Sequence, residues 1–309
     1  MHPEGPVLVR GVGWDRSGPR LDFAARQDAG DGGTRGPLPL AAGVRLGFEV
    51  LPGTRHCLGS SIVAGPLEVA SAPCPQDRAA ERGHQCGPCF ARDDFRFMHD
   101  FHRSGIAPAG LRSYLAQEHW LYVATFADGA SKVGTASSVR KWARLAEQGA
   151  VAAHYVARAQ DGRVVRVLED SVTAGAGLPQ QVRSRAKAAA LLAPLPGSQL
   201  RTINAALADG VRTLLAGSSQ DGFEPVHEEW VPPATGDLLL AGPPRHAYPH
   251  ALDGGAHGLS VRSVLGGFAL VRTDGNGLDF VVDLGALKGK RIRFGDFSSA
   301  PSPVQEQLF

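Results

Sequence analysis

The four cysteines of this 309-residue chain all lie between positions 57 and 89. Cys86 and Cys89 form a Cys-x-x-Cys pair, and Cys57 and Cys74 are its more distant partners. Thiolates at such spacing can share one tetrahedral ion, and Zn²⁺ prefers sulfur ligands in a closed four-coordinate site. The sequence therefore predicts a structural zinc site with these four ligands. Disulfides and buried free thiols are alternative interpretations of the same cysteines.

The ends and the hydropathy of the chain favour a reducing compartment. Residues 1–5 do not lead from a basic region into an apolar stretch, which is the pattern of a signal peptide. No apolar run reaches the length of about 18 residues that a transmembrane helix needs. We therefore expect a cytoplasmic protein without a membrane partner, in which the cysteines bind metal.

Positive charge is concentrated in the middle of the chain. The formal net charge is only +2, but residues 131–201 contain eleven Lys and Arg against four acids. A local excess of seven positive charges on a nearly neutral protein indicates a polyanionic partner. A solvated, Arg-rich helix face is the alternative interpretation.

The pattern of elements predicts an α+β protein with four parts. These are a β-rich segment with the zinc module (1–105), a central α/β domain (106–201), a helix followed by a small β-barrel (202–297), and a flexible tail (298–309). Strands are expected at 7–9, 44–50, 119–126, 131–134, 151–159, 237–240, 259–264, 268–272, 279–284 and 291–294. Helices are expected at 91–103, 139–148 (capped by Ser137 or Ser138), 164–172, 180–192 and 198–215.

An ordered set of short motifs resembles domain-of-unknown-function family 2797 over roughly residues 45–295. The carriers are Cys57, Cys74, Cys86-x-x-Cys89, His119, Tyr122, Ala124, Lys132-Val133-Gly134, Trp142, Gln148-Gly149-Ala150 and Arg166-x-x-Glu169. The family carries no assigned activity, so the resemblance supports a common fold and leaves the chemistry to the residues.

The central domain is also similar, more distantly, to the GIY-YIG nuclease core. A strand with a tyrosine, a turn, a strand ending in an aliphatic-Gly pair, a basic helix and a later helix with one glutamate follow one another. The resemblance places Tyr122 at the first tyrosine and Glu169 at the glutamate that binds Mg²⁺ or Mn²⁺. Lys132 stands at the second tyrosine, and Lys141 at the catalytic arginine.

These two lysines depart from the nuclease pattern. A lysine cannot act as a phenol, and it lacks the bidentate fork with which arginine holds phosphate. The resemblance therefore implies either a metal-dependent nuclease of DNA processing or a related core that binds nucleic acid, DNA favoured over RNA, without cutting it. The candidate catalytic residues are Tyr122, Lys132, Arg140, Lys141, Arg144, Glu169 and His119. The candidate nucleic-acid-binding residues are Lys132, Arg140, Lys141, Arg144, Arg183, Arg185 and Lys187.

Two of these residues have ordinary structural alternatives. His119 begins an apolar strand, where a half-buried histidine with a satisfied hydrogen bond is common. Glu169 follows Arg166 by three residues, a spacing at which the two side chains can form an ion pair on one helix face.

The C-terminal residues suggest a second function class. Gln305, Leu308 and Phe309 match a Gln-x-x-Leu-Phe pattern that resembles the peptides bound by bacterial sliding clamps. A flexible tail can place two apolar side chains in a groove while the glutamine fixes their orientation. The alternative function is therefore a non-catalytic adaptor that docks a partner such as the clamp.

Overall fold

Two large sheets, with helices between and around them, organise the chain. The computed structural model describes residues 5–25, 35–98, 100–242, 244–274 and 277–301. Its strands are β1 (Pro6–Asp15), β2 (Gly18–Ala25), β3 (Arg35–Pro39), β4 (Arg45–Val50), β5 (Ser60–Val63), β6 (Val69–Ala72), β7 (His119–Thr125), β8 (Ser131–Ser137), β9 (Ala152–Ala159), β10 (Phe223–Glu229), β11 (His246–Ala247), β12 (Gly255–Leu265), β13 (Phe268–Arg272), β14 (Phe280–Asp283) and β15 (Arg291–Phe294). Its α-helices are α1 (Gly87–Arg92), α2 (Phe101–Ser104), α3 (Ala109–Leu115), α4 (Lys141–Gln148), α5 (Gly162–Ala176), α6 (Ser184–Ala190), α7 (Gly197–Ala216) and α8 (Asp237–Ala241).

The larger sheet has nine strands in the order β11-β14-β13-β12-β4-β15-β1-β2-β3. It combines strands from both ends of the chain, because β4 pairs with β12 on one side and with β15 on the other. No closed barrel occurs in the described residues, so the predicted small C-terminal barrel is wrong. The predicted C-terminal strands instead complete a sheet that the N-terminal strands begin, which leaves only β3 and β11 as edges.

The smaller sheet is antiparallel, with the order β10-β9-β7-β8, and it contains the predicted central strands. Leu121 and Val123 face a core formed with α5 and α7. Tyr122 and Ala124, on the opposite face by the period of two, join a core shared with α4 and the nine-stranded sheet. Helix α4 therefore lies between the two sheets.

The predicted helix 91–103 is broken in the structure. Asp93 is extended (φ −76°, ψ 119°), and its carboxylate accepts a hydrogen bond from the Phe95 N–H at 2.9 Å, which begins a separate 3-10 turn. Residues 106–118, for which the sequence pattern predicted no helix, contain α3. Helix 180–192 is also shorter than expected, since only α6 is helical in that stretch.

Two further expectations fail for local reasons. Residues 237–240 form helix α8 and not a strand, because a short apolar run does not by itself distinguish the two. Ser137 makes no capping bond, and the Ser138 hydroxyl accepts from the Trp120 indole at 3.1 Å instead. A 3-10 turn, Ser138–Arg140, precedes α4.

Gly134 on β8 allows the Tyr122 ring to cross that strand. A Cβ at position 134 would lie 2.5 Å from the Tyr122 hydroxyl oxygen. We expect Gly134→Ala to lower the free energy of unfolding by about 1–3 kcal/mol, because the buried ring must move. Gly210→Ala, in α7 with no atom within 4 Å of the added carbon, is the matched control and should stabilise by about 1 kcal/mol. Denaturant unfolding of both variants checks this, and equal effects would contradict it.

Candidate functional site

The four cysteines converge on one point. Their sulfur atoms all lie within 4.8 Å of one another, and all four are free thiols. The Sγ atoms of Cys74 and Cys86 are 3.9 Å apart. Tetrahedral bonds of about 2.3 Å to zinc impose a separation of about 3.8 Å, whereas a disulfide requires about 2.05 Å. The cluster can thus hold a metal ion, and its all-sulfur donor set is compatible with structural zinc.

Local backbone geometry sets the positions of the sulfurs. Cys86 precedes α1 and Cys89 lies in its first turn, where the Phe90 N–H bonds to the Cys86 carbonyl at 2.9 Å. Gly59 has a positive φ of 88°, and its N–H donates to the Cys57 sulfur at 3.3 Å. A Cβ on Gly59 would lie 1.9 Å from the Ala72 carbonyl oxygen, so only glycine allows this approach.

The surroundings shift the pKa values of the thiols in different directions. Burial raises the pKa of Cys57 and, with the hydrogen bonds of neighbouring thiols, that of Cys89. Burial acts in the same direction on Cys74, but hydrogen bonds from the Arg78 and Gln76 backbone outweigh it and lower its pKa to about 7. The fold alone therefore stabilises one thiolate, and a bound cation would stabilise the others as their protons leave.

Residues 56–98, the cysteine module, connect the two sheets. The His56 N–H donates to the Gly289 carbonyl at 2.7 Å, beside the large sheet. On the other side, Val63 packs in a buried cluster with Leu111, Tyr114 and Leu115 next to the smaller sheet. The cluster of cysteines thus fixes a loop-rich segment against both halves of the fold.

Three predicted catalytic residues lie together but are buried. Tyr122, Lys132 and Glu169 are 0%, 7% and 3% exposed. The Tyr122 phenol oxygen accepts a hydrogen bond from the Gln148 amide at 2.8 Å, and burial raises its pKa, so it is a neutral phenol at pH 7. The Lys132 ammonium donates to the Gln180 carbonyl at 3.3 Å and lies 5.7 Å from the Tyr122 ring centre. These side chains form a layer beneath the surface.

The charge of Glu169 is balanced by Arg166, which lies on the same helix. The Arg166 guanidinium lies 2.5 Å from the Glu169 carboxylate, so the ion pair that the spacing allows is present. Burial raises the pKa of Glu169, and the charge of Arg166 opposes that rise. Mg²⁺ is held by carboxylates together with water or substrate oxygens. A single buried carboxylate already paired with arginine does not fit that requirement.

Further positive charge surrounds this layer. The Lys187 ammonium donates to the Gln148 carbonyl at 2.9 Å and lies 3.9 Å from the Phe126 ring centre. Burial, with the charges of Lys132 and Arg144, lowers the pKa of Lys187 to about 7. Burial, with the charge of Arg144, lowers the pKa of Lys132 to about 8. These cations are close enough to repel one another, and an anion would relieve the repulsion.

Lys141 does not take the position that the nuclease resemblance gives it. Its ammonium lies 2.5 Å from Glu228 and 3.2 Å from the Trp120 ring centre, on the side of β10. Lys132 is on β8, at the opposite edge of that sheet. The α4 cation that acts on Tyr122 is Arg144, whose charge opposes the rise in the tyrosine's pKa.

An open cleft of about 550 Å³ lies where the cysteine module meets the smaller sheet. Arg140, Arg144 and Arg166 line it together with His119 and Tyr114. Arg140 also bonds to both oxygens of Glu147, at 2.7 and 2.6 Å. Three guanidinium groups on one cleft make it a candidate anion-binding site.

His119 and Tyr114 lie beside each other in this cleft. The His119 Nδ1 is 2.8 Å from the Gln117 carbonyl oxygen, which can only accept, so Nδ1 carries the proton and Nε2 of the neutral ring is an acceptor. Burial lowers the pKa of His119, which keeps the ring neutral. The Tyr114 hydroxyl is 3.2 Å from the Ser137 hydroxyl. The sequence analysis did not predict α3 or select Tyr114. The helical spacing of Leu111, Tyr114 and Leu115 is the signal that could have indicated both.

The basic middle of the chain does not form one continuous surface. Arg158 pairs with Glu118 and Glu224, away from the residues that line the cleft. Arg183 directly precedes α6 and Arg185 lies in it; both are exposed, and the intervening Ser184 bonds to Asp283 of the large sheet at 2.9 Å. The excess of positive charge in residues 131–201 is therefore distributed over several parts of the surface, with a local cluster at the cleft.

Two predictions concern features other than the cleft, namely docking of the C-terminal residues to a clamp and the absence of a membrane partner. Gln305, Leu308 and Phe309 fall beyond the described residues, so clamp docking stays a prediction from sequence. Within the described part of the chain, no helix has both the length and the apolar character needed to cross a bilayer.

Comparison of the chain with protein-family models, curated proteins and solved structures gave no match.

Proposed function

We propose that this protein binds nucleic acid through phosphate contacts in the arginine-lined cleft, on a scaffold held together by zinc at the four cysteines. The observation that carries the proposal is the convergence of Arg140, Arg144 and Arg166 on one cleft. Arginine presents a planar fork that matches phosphate oxygens, and such contacts supply most of the affinity for a nucleic-acid backbone.

The buried layer supports the same proposal. Lys132 and Lys187 are close enough to Arg144 for its charge to lower their pKa values. The acid that acts on Lys132 is Glu169, which is already paired with Arg166. The lowered pKa values of both lysines show that part of this positive charge is held at a cost in free energy. A phosphate at the surface would offset that cost, because opposite charges stabilise each other strongly where water is excluded.

Binding without cleavage is the activity that this geometry favours. We propose that the central domain has a GIY-YIG-like core, and the order of its strands and helices supports this proposal. However, Tyr122 and Glu169 are both too buried to touch a substrate in this conformation. His119 is the one predicted catalytic side chain with an acceptor nitrogen on the cleft. We therefore propose a core related to the GIY-YIG nucleases that keeps the cationic side chains for binding nucleic acid but does not cut it.

The decisive experiment measures binding of labelled single-stranded DNA, duplex DNA and RNA across a series of salt concentrations. We expect log Kd to rise with log salt, with a slope of at most about three, because Arg140 and Arg166 already form ion pairs with Glu147 and Glu169. We also expect intact oligonucleotides after incubation with Mg²⁺ or Mn²⁺. Affinity that does not change with salt would exclude a phosphate grip, and metal-dependent cleavage lost in Glu169→Gln would favour the nuclease.

The affinity should also depend on pH near neutrality. Lys132 and Lys187, with pKa values of about 8 and about 7, are charged below this range and neutral above it. Bound phosphate favours the charged forms, so we expect affinity to fall about tenfold as pH rises from about 6 to about 9. Replacing both lysines with methionine should flatten this dependence. An ordinary lysine, which titrates near pH 10.4, would give no change in this window.

A further inference from the structure

The wall of the cleft contributed by the cysteine module is apolar. It consists of Pro66, Leu67 and Val69 from the β5–β6 hairpin together with Phe95 and Met98. Leu67 is 73% exposed and Val69 is 44% exposed. Single exposed apolar residues are common on proteins, but several gathered on one cleft indicate a ligand with an apolar part.

The part of the lining that comes from the central α/β elements is cationic and hydrogen-bonding. It contains Arg140, Arg144 and Arg166 together with Ser137, the last residue of β8. Val139, 59% exposed, also lines the cleft. A ligand that satisfies both walls must carry an anionic group on one side and an apolar surface on the other, within a space typical of small-molecule sites.

We infer that the cleft takes an unpaired nucleotide of single-stranded nucleic acid, with its phosphate on the arginines and its base against the hairpin wall. The inference rests on the proposed function and adds the form of its ligand. In a duplex the faces of the bases are stacked and covered, so the hairpin could not reach them. In a single strand the bases can turn outward and pack on protein side chains. The cysteine module therefore supplies specificity as well as support.

The test compares Leu67→Ser with Val231→Ser, a matched control because Val231 is 72% exposed and does not line the cleft. Each protein is titrated with a single-stranded DNA of about 15 nucleotides and with a blunt duplex of the same sequence. We expect the unmodified protein to prefer the single strand about tenfold or more. Leu67→Ser should weaken single-strand binding about fivefold and leave duplex binding and thermal stability unchanged. Val231→Ser should bind both forms as the unmodified protein does.

The outcomes separate this inference from the proposed function. Equal affinity for both forms, or a Leu67→Ser effect of the same size on both, overturns the unpaired-nucleotide inference and leaves phosphate binding intact. Salt-independent binding, or no binding of either form, overturns the proposed function itself. A loss for Val231→Ser equal to that for Leu67→Ser shows that the hairpin wall is not involved, and it also overturns the inference.

Discussion

Replacing Cys89 with serine is expected to abolish stoichiometric zinc and to unfold the cysteine module while the nine-stranded sheet remains folded. In zinc-finger peptides, structural zinc contributes about 10–16 kcal/mol of apparent binding free energy, which is folding free energy for a segment without a core of its own. The module has such a character, since the buried cluster around the metal site consists of Cys57, Cys86 and Cys89 with Cys74 packed against it. The large sheet has its own extensive core and does not need the ion.

Hydrogen exchange with elemental analysis checks this expectation. Amides of residues 56–98 should lose protection in the variant, and those of β4 and β12 should keep theirs. Ser71→Ala, which removes an exposed side-chain hydroxyl from the same module, is the control and should retain zinc. Unmodified protein purified without bound metal, or a Cys89→Ser variant with unchanged exchange, would contradict the zinc scaffold.

Removing Arg140 and Arg144 together is expected to weaken nucleic-acid binding at least about a hundredfold. Each guanidinium in contact with phosphate contributes about 1.5–3 kcal/mol, and the slope of log Kd against log salt should fall by about two. Both residues lie on the cleft and neither belongs to a buried core, so the fold should tolerate their replacement by alanine.

Arg163 and Arg201 provide the matched double control. Both are exposed, both belong to the same basic stretch, and neither lines the cleft. Their replacement by alanine removes the same charge and should change affinity about threefold at most, since distant charges are screened by salt. Equal losses from the two double variants would show that net charge, and not the cleft, determines binding.

Local sequence patterns predicted most of the elements around the site. Strands made of apolar runs of eight or nine residues, such as 119–126 and 151–159, appear close to their expected positions. The four cysteines also meet as expected, because their residue type and spacing carry the metal signal directly. Errors occurred where an apolar run was too short to distinguish helix from strand, as in 237–240, or where a side chain accepted from a backbone N–H two residues on, as Asp93 does from Phe95.

The roles of individual cations could not be obtained from spacing. Lys141 and Arg144 are three residues apart on one short helix, but one contacts Glu228 and the other acts on Tyr122. Which of them reaches the cleft depends on how α4 is rotated between two sheets. That rotation is set by contacts with residues far away in sequence.

The sequence alone determined that this protein has a cysteine group that can hold a metal ion, a central α/β unit and an excess of positive charge in its middle. These properties are local, because they follow from residue type, spacing and periodicity. Only the tertiary structure decided that strands from both ends of the chain form one sheet, that Tyr122, Lys132 and Glu169 are buried, and that an apolar hairpin and three arginines line one cleft. Those properties depend on packing between distant segments, which no window of neighbouring residues contains.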